Sequence, residues 1–211
     1  MKVAVLGGTG DMGSAVAKRL AKSNTVVIGS RDAARAEEAA HGIEGASGDD
    51  YDGASRDCEV AIVAVPFSAT DVMGSLSEAL AGKLVVSMVN PLKMEGSLLR
   101  FALETGSAAE RIAAMLPKSG VSTAFNNLPS GMLEGDSPVE ADVLVAASSK
   151  EAYDKTAALV RSVRNLRPLY AGPLSQAQIV ERITPLVLNL AKLNATPSLA
   201  PRFVSRKTST N

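Results

Sequence analysis

The run Val3-Ala4-Val5-Leu6 and the glycine turn that follows it constrain this chain more than any other feature. Four uncharged apolar residues have the composition of a parallel strand buried on both faces. They break directly into Gly8-Thr9-Gly10-Asp11-Met12-Gly13, a G-x-G-x-x-G turn. In such a turn Gly8 permits the tight bend, Gly10 lets backbone approach a pyrophosphate, and Gly13 lets the next helix pack closely on the strand. A helix predicted from Met12 to Lys22 then directs its free N–H groups and positive dipole end at phosphate. Strand, turn and amphipathic segment in that order predict dinucleotide binding; the competing reading is a purely structural glycine turn.

The second strand, Thr25 to Ile28, ends in Gly29-Ser30-Arg31-Asp32. An acidic residue at this tip would accept hydrogen bonds from a ribose diol. Ser30 and Arg31 stand there instead, with Arg35 one helical turn on, a set suited to a 2′-phosphate and hence to NADP rather than NAD. An ordinary solvated face is the alternative for both arginines, and helix capping is the role predicted for Asp32. Residues 42–57 predict only a short strand near Ile43 and a short helix. Val60 to Val65 is a buried strand stopped by Pro66, so Val65, Pro66 and Phe67 are expected along the nicotinamide side of the crevice, although proline also simply ends strands. A helix from about Ser68 to Ala81 precedes a strand from Leu84 to Met88, which ends at Asn90-Pro91 on the same edge.

Residues Pro91 to Gly106 read as a long, mostly irregular connection of the kind that often serves as a lid. A helix from Ser107 to Leu116 leads to the strand Val121–Phe125, broken at Asn126-Asn127-Leu128-Pro129; the two amides can serve the crevice or only the turn. Ala141–Ala147 is a further strand, Lys150–Val163 a helix, and Leu169–Ala171 a last short strand. Gln176–Asn194 is a long helix that Pro185 should kink. The tail from Ala195 is expected to be mobile. The fold class expected is α/β: a Rossmann-like, doubly wound, mostly parallel sheet of about six strands with a small C-terminal lobe. The division expected is an NADP-binding domain over residues 1–125 and a lobe over 126–211, together one compact unit.

Lys plus Arg equals Asp plus Glu at 22 each, so no overall field recruits nucleic acid or an anionic membrane. The single cysteine, Cys58, leaves no disulfide framework and fits a cytoplasmic protein. No apolar run approaches a membrane span, and the start is too short for a signal peptide. His41, the one histidine, is expected to close a helix rather than to act in catalysis. A substrate reductase needs a proton donor beside its hydride acceptor. The crevice residues here, Asn90, Asn126, Asn127 and Lys93, are poor in such groups, which favours transfer to a flat redox ring needing only stacking and a hydrogen-bond donor. Catalysis is then by positioning, with no catalytic side chain.

Several stretches carry a resemblance: VAVLGGTGDMG, the Gly-Ser-Arg-Asp tip, Gly106-Ser107-Ala108-Ala109-Glu110-Arg111, Ala124-Phe125-Asn126-Asn127, Ala171-Gly172-Pro173-Leu174 and Val180-Glu181-Arg182-Ile183-Thr184-Pro185-Leu186 with Leu188-Asn189. From Lys2 to about Asn194 the chain resembles the NADPH-dependent reductases of the deazaflavin coenzyme F420. The resemblance implies reversible hydride transfer between NADP(H) and F420, ring to ring, with no metal or second cofactor, and a homodimer. It implies a phosphate turn at Gly8, Thr9, Gly10 and Met12 and a 2′-phosphate site at Ser30 and Arg31. A second basic residue is expected after that arginine; Asp32 occupies its place, so Arg35 must compensate. It places the deazaflavin against Asn126, Asn127, Leu128 and Pro129, with Thr184 and Leu186 from the final helix and a wall from Pro91 and Leu92. Asn126 is expected to donate to the ring. A flavin or ferric reductase, and an NADP(H)-sensing module without turnover, are the alternative functions. Arg202, Arg206 and Lys207 either meet the acidic tail of a deazaflavin or only solubilise the chain end.

Overall fold

A computed structural model describes residues 1–205. The chain runs β1 (Lys2–Leu6), α1 (Asp11–Ala21), β2 (Thr25–Ser30), α2 (Ala33–Ala40), β3 (Ala46–Asp50), α3 (Tyr51–Arg56), β4 (Val60–Val63) and β5 (Leu84–Ser87). A hairpin of β6 (Leu92–Glu95) and β7 (Leu98–Phe101) follows, then α4 (Ala108–Met115), β8 (Gly120–Thr123) and α5 (Ser130–Leu133). The remainder is β9 (Ala141–Ala147), α6 (Lys150–Arg161), β10 (Leu166–Pro173) and α7 (Ala177–Leu193).

Eight strands form one sheet in the order β10-β9-β8-β5-β4-β1-β2-β3. All neighbours pair in parallel except β8 and β9, which meet antiparallel with Ser122 opposite Ala147. Alternation along the strands sorts the core into two layers. Val3, Val5, Ile28, Ile62 and Val86 face α1 and α6, where Val16, Leu20, Leu159 and Val160 cover them. Ala4, Leu6, Val63, Val85 and Val121 face the other way, against Met73, Leu80 and Ile112. The α/β class and the mostly parallel sheet are thus as the sequence predicts, but the strands number eight in the sheet, not about six. The last two strands extend the sheet instead of standing over its edge, because β9 is apolar on both faces and must be paired and covered on both. The sheet's open edges are β3 and β10, the latter irregular in register between Tyr170 and Gly172.

Three local expectations differ. Residues 92–101 form an antiparallel hairpin turned at Gly96, which has a left-handed φ of 61°, rather than an irregular connection. The hairpin is held from far away: the Asn189 amide donates to Leu99 O and accepts from Leu99 N, both at 2.9 Å, while the Arg182 guanidinium lies 4.7 Å from the Phe101 ring centroid. The stretch expected as a helix from Ser68 is a 3₁₀ run, Phe67–Leu76, in which the Thr70 hydroxyl bonds back to Phe67 O at 2.8 Å and Gly74 offers no helix propensity. The tail is strapped down through Phe203. Pro201 O accepts from Asp142 N at 2.8 Å, and the buried Asp142 carboxylate takes two hydrogen bonds from Arg167, at 2.7 and 2.8 Å, plus one from Phe203 N. Arg167 also donates to Phe203 O. Arg202 is exposed, whereas Arg206 and Lys207 lie outside the described residues. Helix α7 continues through Pro185, which leaves Glu181 O without its helical donor.

Candidate functional site

Gly7, with φ 92°, turns the chain out of β1, and its N–H donates to Gly29 O at 2.9 Å. A Cβ on Gly13 would lie 2.4 Å from Gly7 O and 2.8 Å from Gly8 Cα, so only glycine allows α1 to start this close to the turn. A Cβ on Gly8 would meet Val5 O and an Ile28 methyl at 2.9 Å; Gly8 therefore packs inward and does not face the cleft. Gly10 differs, since the nearest atom to its Cβ would be 3.6 Å away, ordinary contact distance. It is the N-cap of α1, and no side chain caps that end. The first-turn residues Asp11, Met12 and Gly13 line the cleft with the positive end of the helix.

The cleft has a volume of about 970 Å³ and follows the carboxyl ends of the parallel strands. At one end stand Ser30, Arg31, Asp32 and Arg35, with Tyr51 just after β3. Asp32 caps α2, accepting from Ala34 N at 3.0 Å, as predicted. Among the described residues no carboxylate pairs with Arg31 or Arg35, so both guanidinium groups remain available to an anion. Burial raises the Tyr51 phenol above its ordinary pKa, with Arg31 opposing, so Tyr51 is a neutral hydroxyl there. Val65 and Pro66 line the middle, and Met88, Val89 and Asn90 close the far end.

A second cavity of about 250 Å³ adjoins the first, and both are lined by Met12, Met88 and Asn90. Leu92, residues 126–130, Thr184, Val187 and Leu188 complete it. Its backbone is shaped by Phe125, a buried aromatic held at φ 63°, where a bulky residue costs of order 1–3 kcal/mol. That bend delivers Asn126 and Asn127 toward α7. Asn127 Nδ2 donates to Val180 O at 2.9 Å and to Thr184 Oγ1 at 3.1 Å; Asn90 Nδ2 donates to Asn126 O at 3.0 Å. The α5 wall is braced from α1: Arg19 is 5% exposed, and its Nε donates to Leu133 O at 2.8 Å. From α7 the buried Glu181 carboxylate accepts from Ala108 N at 2.9 Å and Ala109 N at 3.0 Å, joining α7 to the start of α4. Burial pushes its pKa up to about 7 against those two donors.

Most of the site residues expected from sequence thus gather in the two cavities, but several are rearranged. Asn126 lines the smaller cavity only, and its Nδ2 donates to Val89 O at 3.2 Å instead of being turned to a ring. Leu186 is 57% exposed and lies on the outer face of α7; Val187 and Leu188 line the cavity. Pro91 is buried without lining either cavity, and Leu92 alone supplies that wall. Phe67 lines the larger cleft with Val65 and Pro66, while Tyr51, Met88, Val89, Val187 and Leu188 are lining residues that the sequence does not single out. Positions three and four beyond Thr184 share its helical face, a signal that could have singled out the last two.

A family model described as NADP oxidoreductase, coenzyme F420-dependent, matches residues 2–91. The F420-dependent NADP reductase of Methanothermobacter marburgensis is 40% identical over 206 residues, 90% of this chain and 92% of that protein. That of Methanocaldococcus jannaschii is 37% identical over 206 residues, with the same shares covered. Among solved structures, a provisionally named F420-dependent NADP reductase from Arthrobacter sp. FB24 superposes with a TM-score of 0.84 at 22% identity, covering 97% of this chain and 100% of that one. At that identity the likeness speaks for the fold. No helix among the described residues is long and apolar enough to cross a membrane.

Proposed function

The chain belongs to the F420-dependent NADP reductases, and from that membership we propose that it catalyses reversible, direct hydride transfer between NADP(H) and the deazaflavin coenzyme F420. The observation that carries the reading is the meeting of two cavities, one beside an uncapped helix N-terminus and an arginine pair, the other apolar with a knot of asparagines. When both are bound, the nicotinamide and the deazaflavin ring exchange the hydride between themselves.

In this reading the N–H groups of Thr9, Asp11, Met12 and Gly13 cradle the pyrophosphate, and the open side of Gly10, whose own N–H donates to Gly7 O at 3.1 Å, leaves it room. Ser30, Arg31 and Arg35 hold the 2′-phosphate through charge-assisted hydrogen bonds. Val65, Pro66 and Asn90 border the nicotinamide. Asn126, Leu128, Pro129, Thr184, Val187 and Leu188 border the deazaflavin. The side chains shared by both cavities, Met12, Met88 and Asn90, carry no titratable group, so the protein's contribution is orientation and the shielding of two stacked rings from water. Residues 1–125 would bind NADP(H) and residues 126–211 complete the second site within one compact unit.

A homodimer is part of the same proposal. Ile179, Ile183, Leu186, Leu190 and Leu193 recur at alternating spacings of four and three along α7, the pattern of a helix that packs on a partner helix. Four of the five are exposed, Ile179 at 54% and Leu193 at 68%. A cytoplasmic location fits the lone, buried Cys58.

Anaerobic mixing of the protein with NADPH and F420, followed through the visible absorption of the deazaflavin, tests the function, with FMN and NADH in parallel. Rapid bleaching that requires both NADPH and F420 is expected. Tight NADPH binding without bleaching would refute it.

A further inference from the structure

The polar knot beside the smaller cavity is nearly closed on itself. Asn90 Oδ1 lies 2.9 Å from Thr184 Oγ1, and Asn126 O lies 3.0 Å from the same hydroxyl, whose single proton serves one of them. Asn127 directs its amide nitrogen at Val180 O and Thr184 Oγ1, and Asn90 directs its own at Asn126 O. Asn126 is 4% exposed, and Val89 O fixes its orientation. A carbonyl oxygen only accepts, so the Asn126 atom 3.2 Å from it must be nitrogen, and the amide cannot be flipped without setting two acceptors together. The group left over is Asn126 Oδ1, buried and without a hydrogen-bond partner among the described residues. Buried acceptors are rarely left so. What the knot lacks is therefore a donor, not an acceptor.

Resting on the function proposed above, we infer that Asn126 is a specificity-determining residue: its Oδ1 accepts a hydrogen bond from the imide N–H of the pyrimidinedione ring bound in the smaller cavity. A pyrimidinedione edge presents two carbonyl oxygens with one N–H between them, and that N–H is the donor complementary to an isolated amide oxygen. The nicotinamide carboxamide also carries N–H groups, but Asn126 lines the smaller cavity and not the larger cleft, which assigns it to the deazaflavin. The contact fixes which edge of the tricyclic ring points toward α7 and so which face meets the nicotinamide.

The test combines a change in the protein with a change in the ligand. Oxidised deazaflavin and its imide-N-methylated analogue are titrated by calorimetry into wild-type protein and Asn126→Ala. Saturating NADP⁺ is present, a combination that cannot react. Wild type should bind the methylated ring about tenfold or more weakly, the scale of one unsatisfied buried group, and in Asn126→Ala the two rings should bind within about twofold of each other. Unchanged NADP⁺ affinity in the variant reports that it is folded. A penalty of equal size in both proteins, as for an oxygen that serves only an internal water, would overturn the inference. So would discrimination against the 3-acetylpyridine analogue of NADP⁺ that disappears in the variant, since it would assign the oxygen to the carboxamide. Loss of NADPH-dependent bleaching in wild type is a separate result and would count against the function itself.

Discussion

Glu181 ties stability to pH in a direction opposite to that of most carboxylates. It is fully buried, it accepts from Ala108 N and Ala109 N, and burial with Glu110 nearby raises its pKa from 4.5 to about 7. Between those values the folded protein retains a proton that the unfolded chain releases, so stability falls as pH rises. The contribution is fully present below about pH 4.5 and is lost as pH passes through about 7. A shift of this size corresponds to about 3 kcal/mol in all, of which about 2 to 3 kcal/mol falls between pH 5 and 8. Glu181→Gln cannot titrate and isolates this contribution from every other group. Urea unfolding followed by far-ultraviolet circular dichroism, chosen because the chain has no tryptophan, should show wild type losing about 2 to 3 kcal/mol relative to the variant between pH 5 and 8. A difference that stays constant over this range would refute the reasoning. It would mean that the two backbone donors and the positive end of α4 keep the carboxylate ionised throughout.

Arg31→Ala should weaken NADPH by roughly tenfold to a hundredfold, the loss of a charge-assisted pair, with NADH changed little; equal losses for both nucleotides in equilibrium titrations would remove the 2′-phosphate assignment. Gly10→Val should fold normally and lose binding of either nucleotide, because its side chain has room in the protein but not beside a pyrophosphate. Gly13→Val should instead destabilise the fold itself, since its Cβ would overlap Gly7 O; matching melting curves for the two variants would contradict this division. Leu186→Glu should convert a dimer to a monomer in sedimentation equilibrium while leaving NADPH affinity intact, and an unchanged mass would place the interface elsewhere.

The nucleotide half of the molecule is legible in the sequence because its determinants are local. A run of branched residues, a glycine turn and the residue at the tip of the next strand each act within about ten positions. The second cavity is legible only in part. Asn126, Asn127 and Thr184 come together there, yet Leu186 turns outward because a residue two positions beyond Thr184 lies about 200° around a helix. The hairpin at 92–101 leaves little mark on the sequence, since its residues alternate weakly and its partner, Asn189, is some ninety positions away. The tail is a similar case: composition marks it as loose, whereas Asp142, buried in β9, ties it down through its N–H to Pro201 O and its carboxylate to Phe203 N. The reversal at Phe125 had no sequence sign, because a left-handed φ is ordinarily left to glycine or asparagine.

The two open borders of the sheet are both unsuited to receiving another strand. Strand β3, ASGDD, ends in adjacent carboxylates that would repel their counterparts in any strand laid alongside. Strand β10 carries Pro168 and Pro173, neither with an N–H to offer, and its register shift at Tyr170 spoils the straight ladder that a joining chain would need. Edge-to-edge growth, the route by which exposed sheets recruit one another into aggregates, is discouraged at both ends. In the proposed dimer, contact between copies would then fall to the apolar stripe of α7, a surface that a single partner can satisfy.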